Sequence, residues 1–301
     1  MGDLRDASAT PAPENAAAGR DQLLEERRIA LGGLSLEYRV GGEGHPIVLV
    51  HGDLDSALAW RWVAPALTAT HRVYAPSLPG YGGSSKPAAD YSPGYLAGAL
   101  AAFLDALAID RPILIGHSLG GLVALRVALA DPTRLGALAL IASAGLGRAI
   151  HPIFLWESLP GVGEAVNLWS RTPIGAVQRV TNFARLAFWR ADGVPQTWFD
   201  DKYRLLLQPG FLEASLAARR SQITWFGQRE VLLDRLTALD LPVLIVWGAE
   251  DRVLPPVQAR LAAARLHRGR LVLLPGCGHL PIVEHPDRVV ACLGEFLDEA
   301  A

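Results

Sequence analysis

Six short, almost wholly apolar runs punctuate the chain, at residues 46–50, 72–76, 112–116, 135–141, 242–247 and 270–274. Runs this short and this apolar bury both faces, as the strands of a parallel sheet do when helices cover the sheet on either side. The intervening stretches supply such helices. Leu96, Leu100, Phe103, Leu104 and Leu107 recur at helical spacing, and so do Val289, Cys292, Leu293, Phe296 and Leu297. Ahead of them, Leu34, Leu36, Tyr38 and Val40 alternate with Ser35, Glu37 and Arg39. That alternation predicts a half-exposed strand, paired as a hairpin with residues 28–31 through Gly32-Gly33. The expected fold is α/β: a doubly wound, mostly parallel sheet of about eight strands.

The rhythm breaks once. Between residues 144 and 228 no apolar strand run intervenes, and turns fall at Pro160-Gly161, Thr172-Pro173 and Pro209-Gly210. This stretch holds five of the eight tryptophans and six of the eight phenylalanines. It reads as a helical cap inserted into a core made of residues 23–143 and 229–301. Residues 1–22 are small, polar and proline-containing, with no apolar core of a secretion signal, and are expected to form a disordered tail.

Half of the 301 residues are hydrophobic, enough to build a core without disulfides or a structural metal. A net charge of −2 provides no overall positive field for nucleic acid or an anionic membrane. No apolar stretch reaches the roughly 20 residues that a spanning helix needs. Cys277 and Cys292 make neither a disulfide framework nor a metal cluster. The expectation is a cytoplasmic monomer or homodimer with no nucleic-acid partner, membrane span, metal or organic cofactor.

Gly116-His117-Ser118-Leu119-Gly120 follows the third apolar run and opens a helix reaching about residue 130. Small residues flank the serine because the chain must reverse sharply from strand to helix. The turn lifts the hydroxyl to the sheet's carboxyl edge, beside the free N–H groups of a helix start. Alone, the pentapeptide is equally compatible with a glycine-bounded turn carrying an incidental serine. A nucleophilic serine also needs a base and an orienting carboxylate. Asp251 stands in the loop after the fifth run, and His279 in the loop after the sixth. Glu250 competes with Asp251, which is preferred for its spacing from Gly248. His45, His71, His267 and His285 lie away from these loops, and His117 is expected to point into packing. Cys277, beside His279, reads as a small buried filler.

With these residues assembled, the chain resembles the α/β-hydrolase superfamily, in the branch with a serine nucleophile and a helical cap, over residues 26–301. Besides the Ser118, Asp251, His279 order, the resemblance rests on His51-Gly52-Asp53 and on Leu78-Pro79-Gly80-Tyr81-Gly82. It implies a catalytic triad of Ser118, His279 and Asp251, with the backbone N–H groups of Asp53 and Leu119 as the oxyanion hole. Ser77 stands where members often carry aspartate. Asp53 is the sharper departure, because an ionised carboxylate about 4 Å from an oxyanion repels it by roughly 4 kcal/mol at an effective dielectric near 20. Its side chain must turn away, bond a donor or meet a substrate group, and the sequence leaves that choice open.

The resemblance implies hydrolysis of an ester or thioester of a small hydrophobic or aromatic molecule. Phe154, Trp156 and Trp225 are candidate lining residues from the aromatic-rich stretch. Residues 247–255 are also similar to carbon–carbon bond hydrolases of ring-cleavage products, although those usually carry a glycine run where this chain has Asp53-Leu54-Asp55. Serine at position 118 disfavours the branches with an aspartate nucleophile. A ligand-binding protein on a hydrolase scaffold is the reading from a different class.

Overall fold

The computed structural model describes residues 24–300, so the segment 1–22 lies outside the described residues. The chain begins with the hairpin β1 (Glu25–Leu31) and β2 (Leu34–Gly41), which turns at Gly32 and Gly33, both at positive φ. It continues through β3 (Pro46–Val50), α1 (Ala64–Leu67), β4 (Arg72–Pro76) and α2 (Pro93–Ala106). Then follow β5 (Ile113–His117), α3 (Leu119–Ala130) and β6 (Ala137–Ile141). A helical excursion comes next: α4 (Pro152–Glu157), α5 (Val162–Ser170), α6 (Pro173–Ala187), α7 (Gln196–Leu206) and α8 (Phe211–Gln222). A small hairpin of β7 (Ile223–Thr224) and β8 (Gly227–Gln228) leads back to β9 (Val243–Gly248), α9 (Val257–Ala263), β10 (Gly269–Leu274), α10 (Pro281–Glu284) and α11 (Pro286–Ala300).

The main sheet has eight strands in the order β1-β2-β4-β3-β5-β6-β9-β10. The β1–β2 and β2–β4 pairs are antiparallel, and every other neighbouring pair is parallel, as the sequence pattern predicts. β4 lies to one side of β3 and β5 to the other, so the winding reverses between β3 and β5. Loops leaving the carboxyl ends of strands at such a reversal diverge and open a crevice. Residues 51–55 leave one of these ends, and Ser118 the other.

The side chains of Ile47, Val48, Leu49, Ile115, Leu138 and Ile245 are inaccessible to solvent. Each large aliphatic chain so buried stabilises the fold by about 1.5–3 kcal/mol. Local signals agree with this packing. Ser92 caps α2 by accepting a hydrogen bond from the Tyr95 N–H, and Pro93 starts the helix where a missing N–H costs nothing.

β2 is less exposed than its alternation predicts. Glu37 is buried because the loop after β4 folds across it: Ser84 Oγ accepts from the Glu37 N–H at 2.9 Å, and the Gly83 N–H donates to the carboxylate. At the sheet's open edge, by contrast, β1 presents Glu25, Glu26, Arg27 and Arg28 to solvent.

Candidate active site

β5 ends at His117 and α3 begins at Leu119, so Ser118 alone makes the reversal, at φ 52° and ψ −117°. Non-glycine residues rarely occupy that region, and such strain persists only where the surroundings enforce it. Here the enforcement is close backbone contact. A Cβ on Gly120 would lie 2.2 Å from the Val50 carbonyl oxygen, and one on Gly116 2.4 Å from the Gly120 carbonyl oxygen. Ser118 is the N-cap residue of α3, yet its hydroxyl makes no cap hydrogen bond. The helix start therefore keeps free first-turn donors, the Leu119 N–H among them.

The Ser118 hydroxyl lies instead 3.0 Å from His279 Nε2, and His279 Nδ1 is 2.8 Å from Asp251 Oδ2. Since the carboxylate accepts, Nδ1 carries the proton and Nε2 offers its lone pair to the hydroxyl. The other Asp251 oxygen accepts from the N–H groups of Val253 and Leu254 at 2.8 and 2.9 Å, which fixes the carboxylate. Glu250 turns elsewhere and accepts from the Cys277 N–H at 2.9 Å. Glu284 accepts from the Gly278 N–H, and the His279 N–H donates to the Ala187 carbonyl at the end of α6. With the Leu280 N–H also donating to Glu284 at 3.3 Å, the backbone on both sides of His279 is tied down.

These side chains open onto a cavity whose apolar wall is built by Leu54, Ile150, Phe154, Phe183, Val253 and Leu254. Asp53 and Leu119 line the same cavity. Phe154 is thus at the wall. Trp156 lies by a neighbouring hollow and is 52% exposed, and Trp225 sits at the tip of the β7–β8 hairpin, 74% exposed. Aromatic content did not distinguish wall from surface. His117 also departs from expectation, because it lines the cavity instead of only packing behind it. Its Nε2 donates to the His279 carbonyl at 2.8 Å. Burial, together with the nearby His279, pushes the His117 pKa down to about 3. Cys277 is fully buried, and burial raises its thiol pKa.

The Asp53 carboxylate bonds donors. Oδ1 accepts from Tyr81 Oη at 2.9 Å and from Ser215 Oγ at 2.7 Å, while Oδ2 lies 3.2 Å from Arg219 Nε. Arg219 also pairs with Glu157, which Arg179 reaches at 2.8 Å. Burial pulls the Arg219 pKa down, but Asp53 and Glu157 outweigh it and hold the pKa above the usual guanidinium value. Two residues further on, Asp55 pairs with Lys202, whose ammonium also donates to the Leu54 carbonyl at 2.8 Å. Sequence reasoning missed Arg219, Ser215 and Lys202. The available signal was the pair of carboxylates at 53 and 55: facing a buried segment, they require cations from it.

Among the described residues, no group of three or more His, Cys, Asp or Glu side chains is placed to hold a metal ion, and no helix is long and apolar enough to cross a membrane.

Known proteins are similar to this chain in sequence and fold. A pimeloyl-[acyl-carrier protein] methyl ester esterase of Edwardsiella ictaluri is 34% identical over 267 residues, 87% of this chain and 96% of that protein. A 2-hydroxymuconate semialdehyde hydrolase of a Pseudomonas species is 29% identical over 282 residues, 91% of this chain and 94% of that protein. The solved structure of a meta-cleavage product hydrolase from Pseudomonas fluorescens superposes with a TM-score of 0.78 at 26% identity, covering 91% of this chain and 98% of that one. Residues 47–292, from β3 to the last helix, match the alpha/beta hydrolase family as a whole. That match spans most of the chain, and the eight-stranded, mostly parallel sheet agrees with it: the chain belongs to the alpha/beta hydrolase family.

Proposed function

We propose that the protein is a serine hydrolase that cleaves an ester or thioester of a small hydrophobic or aromatic molecule through an acyl-enzyme. The carrying observation is the unbroken hydrogen-bonded line from Ser118 through His279 to Asp251 at the floor of a largely apolar cavity. His279 Nε2 takes the Ser118 proton as the oxygen attacks the carbonyl carbon, and Asp251 stabilises the imidazolium. The N–H groups of Leu119 and Asp53 receive the negative charge on the former carbonyl oxygen. Collapse expels the alcohol or thiol with the proton from His279. Water, deprotonated by the same imidazole, then releases the acid and restores Ser118. Helices α4–α8 act as the cap, with Phe154 and Phe183 facing the substrate's apolar part.

Hydrolysis of p-nitrophenyl butyrate by the wild type and by Ser118→Ala tests the reading. Loss of turnover in the variant is expected; equal rates would turn the protein into a ligand-binding member of the fold. Similarity to a 2-hydroxymuconate semialdehyde hydrolase and to a meta-cleavage product hydrolase motivates a second reading, hydrolysis of a carbon–carbon bond in a vinylogous diketone. Loss of such a substrate's visible chromophore faster than ester cleavage would favour it.

A further inference from the structure

We infer that Lys202 and Arg219 are positioning residues that hold the oxyanion loop, residues 53–55, in its working shape from the helices above it. The inference rests on the reading of Ser118 as nucleophile and of the Asp53 N–H as an oxyanion donor.

Three consecutive loop residues are each gripped from the helical excursion. The Asp53 carboxylate is held by Arg219 and Ser215 of α8. The Leu54 carbonyl and the Asp55 carboxylate are both held by Lys202 of α7. Leu54 has φ 55°, a left-handed conformation that a leucine keeps only when its neighbours impose it. The free Asp55 oxygen accepts from the Ser56 N–H at 2.9 Å, which carries the grip into the next turn. The loop is thus fixed by contacts 148 and 162 residues away in sequence, where a glycine run would have relied on local turn geometry.

Substrate recognition is the competing role for two cations in the wall, and charge decides against it. Lys202 is matched by Asp55, while Arg219 and Arg179 are matched by Asp53 and Glu157. No net positive charge remains in this group for an anionic ligand. The Lys202 and Arg219 side chains are only 5% and 4% exposed, so each ion is held to its partner by the cost of leaving the other bare. Surface pairs would impose no such geometry. It follows that the oxyanion hole is complete only while α7 and α8 are seated on the loop.

The test uses the full chain, p-nitrophenyl butyrate, an arylboronic acid that forms a tetrahedral adduct on Ser118, and the butyrate product. Lys202→Met is expected to lower kcat per titrated site about 100-fold, in the range for losing one oxyanion donor, with KM within about threefold. Boronate affinity should fall in proportion to kcat/KM while butyrate affinity holds, and Lys202→Arg should recover part of the loss. A structural role alone would lower the melting temperature and the titratable fraction but leave kcat per site and boronate affinity intact, and that result overturns the inference. Should Lys202→Met fail to fold, Ser215→Ala takes one hydrogen bond from Asp53 without stranding a charge. A parallel drop in kcat and boronate affinity then supports the proposal, and wild-type values for both refute it. Ser118→Ala separates the two levels. Wild-type turnover there removes the hydrolase reading, whereas an inactive Ser118→Ala beside a fully active Lys202→Met removes only the positioning role.

Discussion

Acid should destabilise this protein partly through His117, and the size of the effect follows from its surroundings. Burial first, and then the neighbouring His279, lowers its pKa from 6.5 to about 3. The folded protein therefore keeps His117 neutral where the unfolded chain takes up a proton. Its contribution is complete above pH 6.5 and is progressively lost as the pH falls toward 3. Between pH 7.5 and 4.5 the loss amounts to about two pKa units, or about 3 kcal/mol. Glutamine at this position can still donate to the His279 carbonyl but cannot titrate. Urea unfolding of the wild type and His117→Gln at several pH values isolates the term, since His51 and the carboxylates are common to both. The wild type should lose about 3 kcal/mol more than the variant over that interval. Parallel stability curves would show that His117 is not held neutral and would refute the argument.

Three further outcomes are expected. Asp251→Asn should reduce kcat by on the order of 10⁴-fold, because the amide leaves His279 in the wrong tautomer; Glu250→Gln, which can still accept from Cys277, should stay within a few fold, and the reverse ranking in ester assays would reassign the acid. Gly120→Ala should cost at least about 3 kcal/mol in thermal or urea melts because its Cβ meets two backbone carbonyl oxygens, whereas Gly98→Ala, mid-helix and facing open space, should gain about 0.5–1 kcal/mol. Cys277 should resist iodoacetamide at pH 8 in the native protein and react only after unfolding, as mass spectrometry can follow; native alkylation would contradict its burial and raised pKa.

The parts of the molecule that were legible in the sequence are those set by neighbours along the chain. Apolar runs gave the strands of the sheet, and the glycines around Ser118 marked a tight turn, although only Gly116 is confined by its own turn, while Gly120 is confined by Val50 and His51 and Gly121 by Ser143, all distant in the chain. Asp251 and His279 were legible because each follows a strand, and strand ends share one rim. Glu37 was misjudged because what covers it is a loop more than forty residues on. Trp225 and Phe154 look alike in sequence, and only the packing of α4 against the crevice and the outward turn of the small hairpin separate them. The counter-ions of Asp53 and Asp55 were illegible for the same reason: Coulomb pairing demands a cation but does not say which of 28 lysines and arginines arrives.

The charged hairpin strand at the sheet's margin bears on how copies of the molecule meet. Another chain extending the sheet past β1 would have to strip water from Glu25, Glu26, Arg27 and Arg28 in a single step. Ribbon-like polymerisation through that border is therefore penalised from the outset. Any lasting self-association of the described residues is therefore disfavoured at this border and must be sought elsewhere, the opposite edge at β10 included.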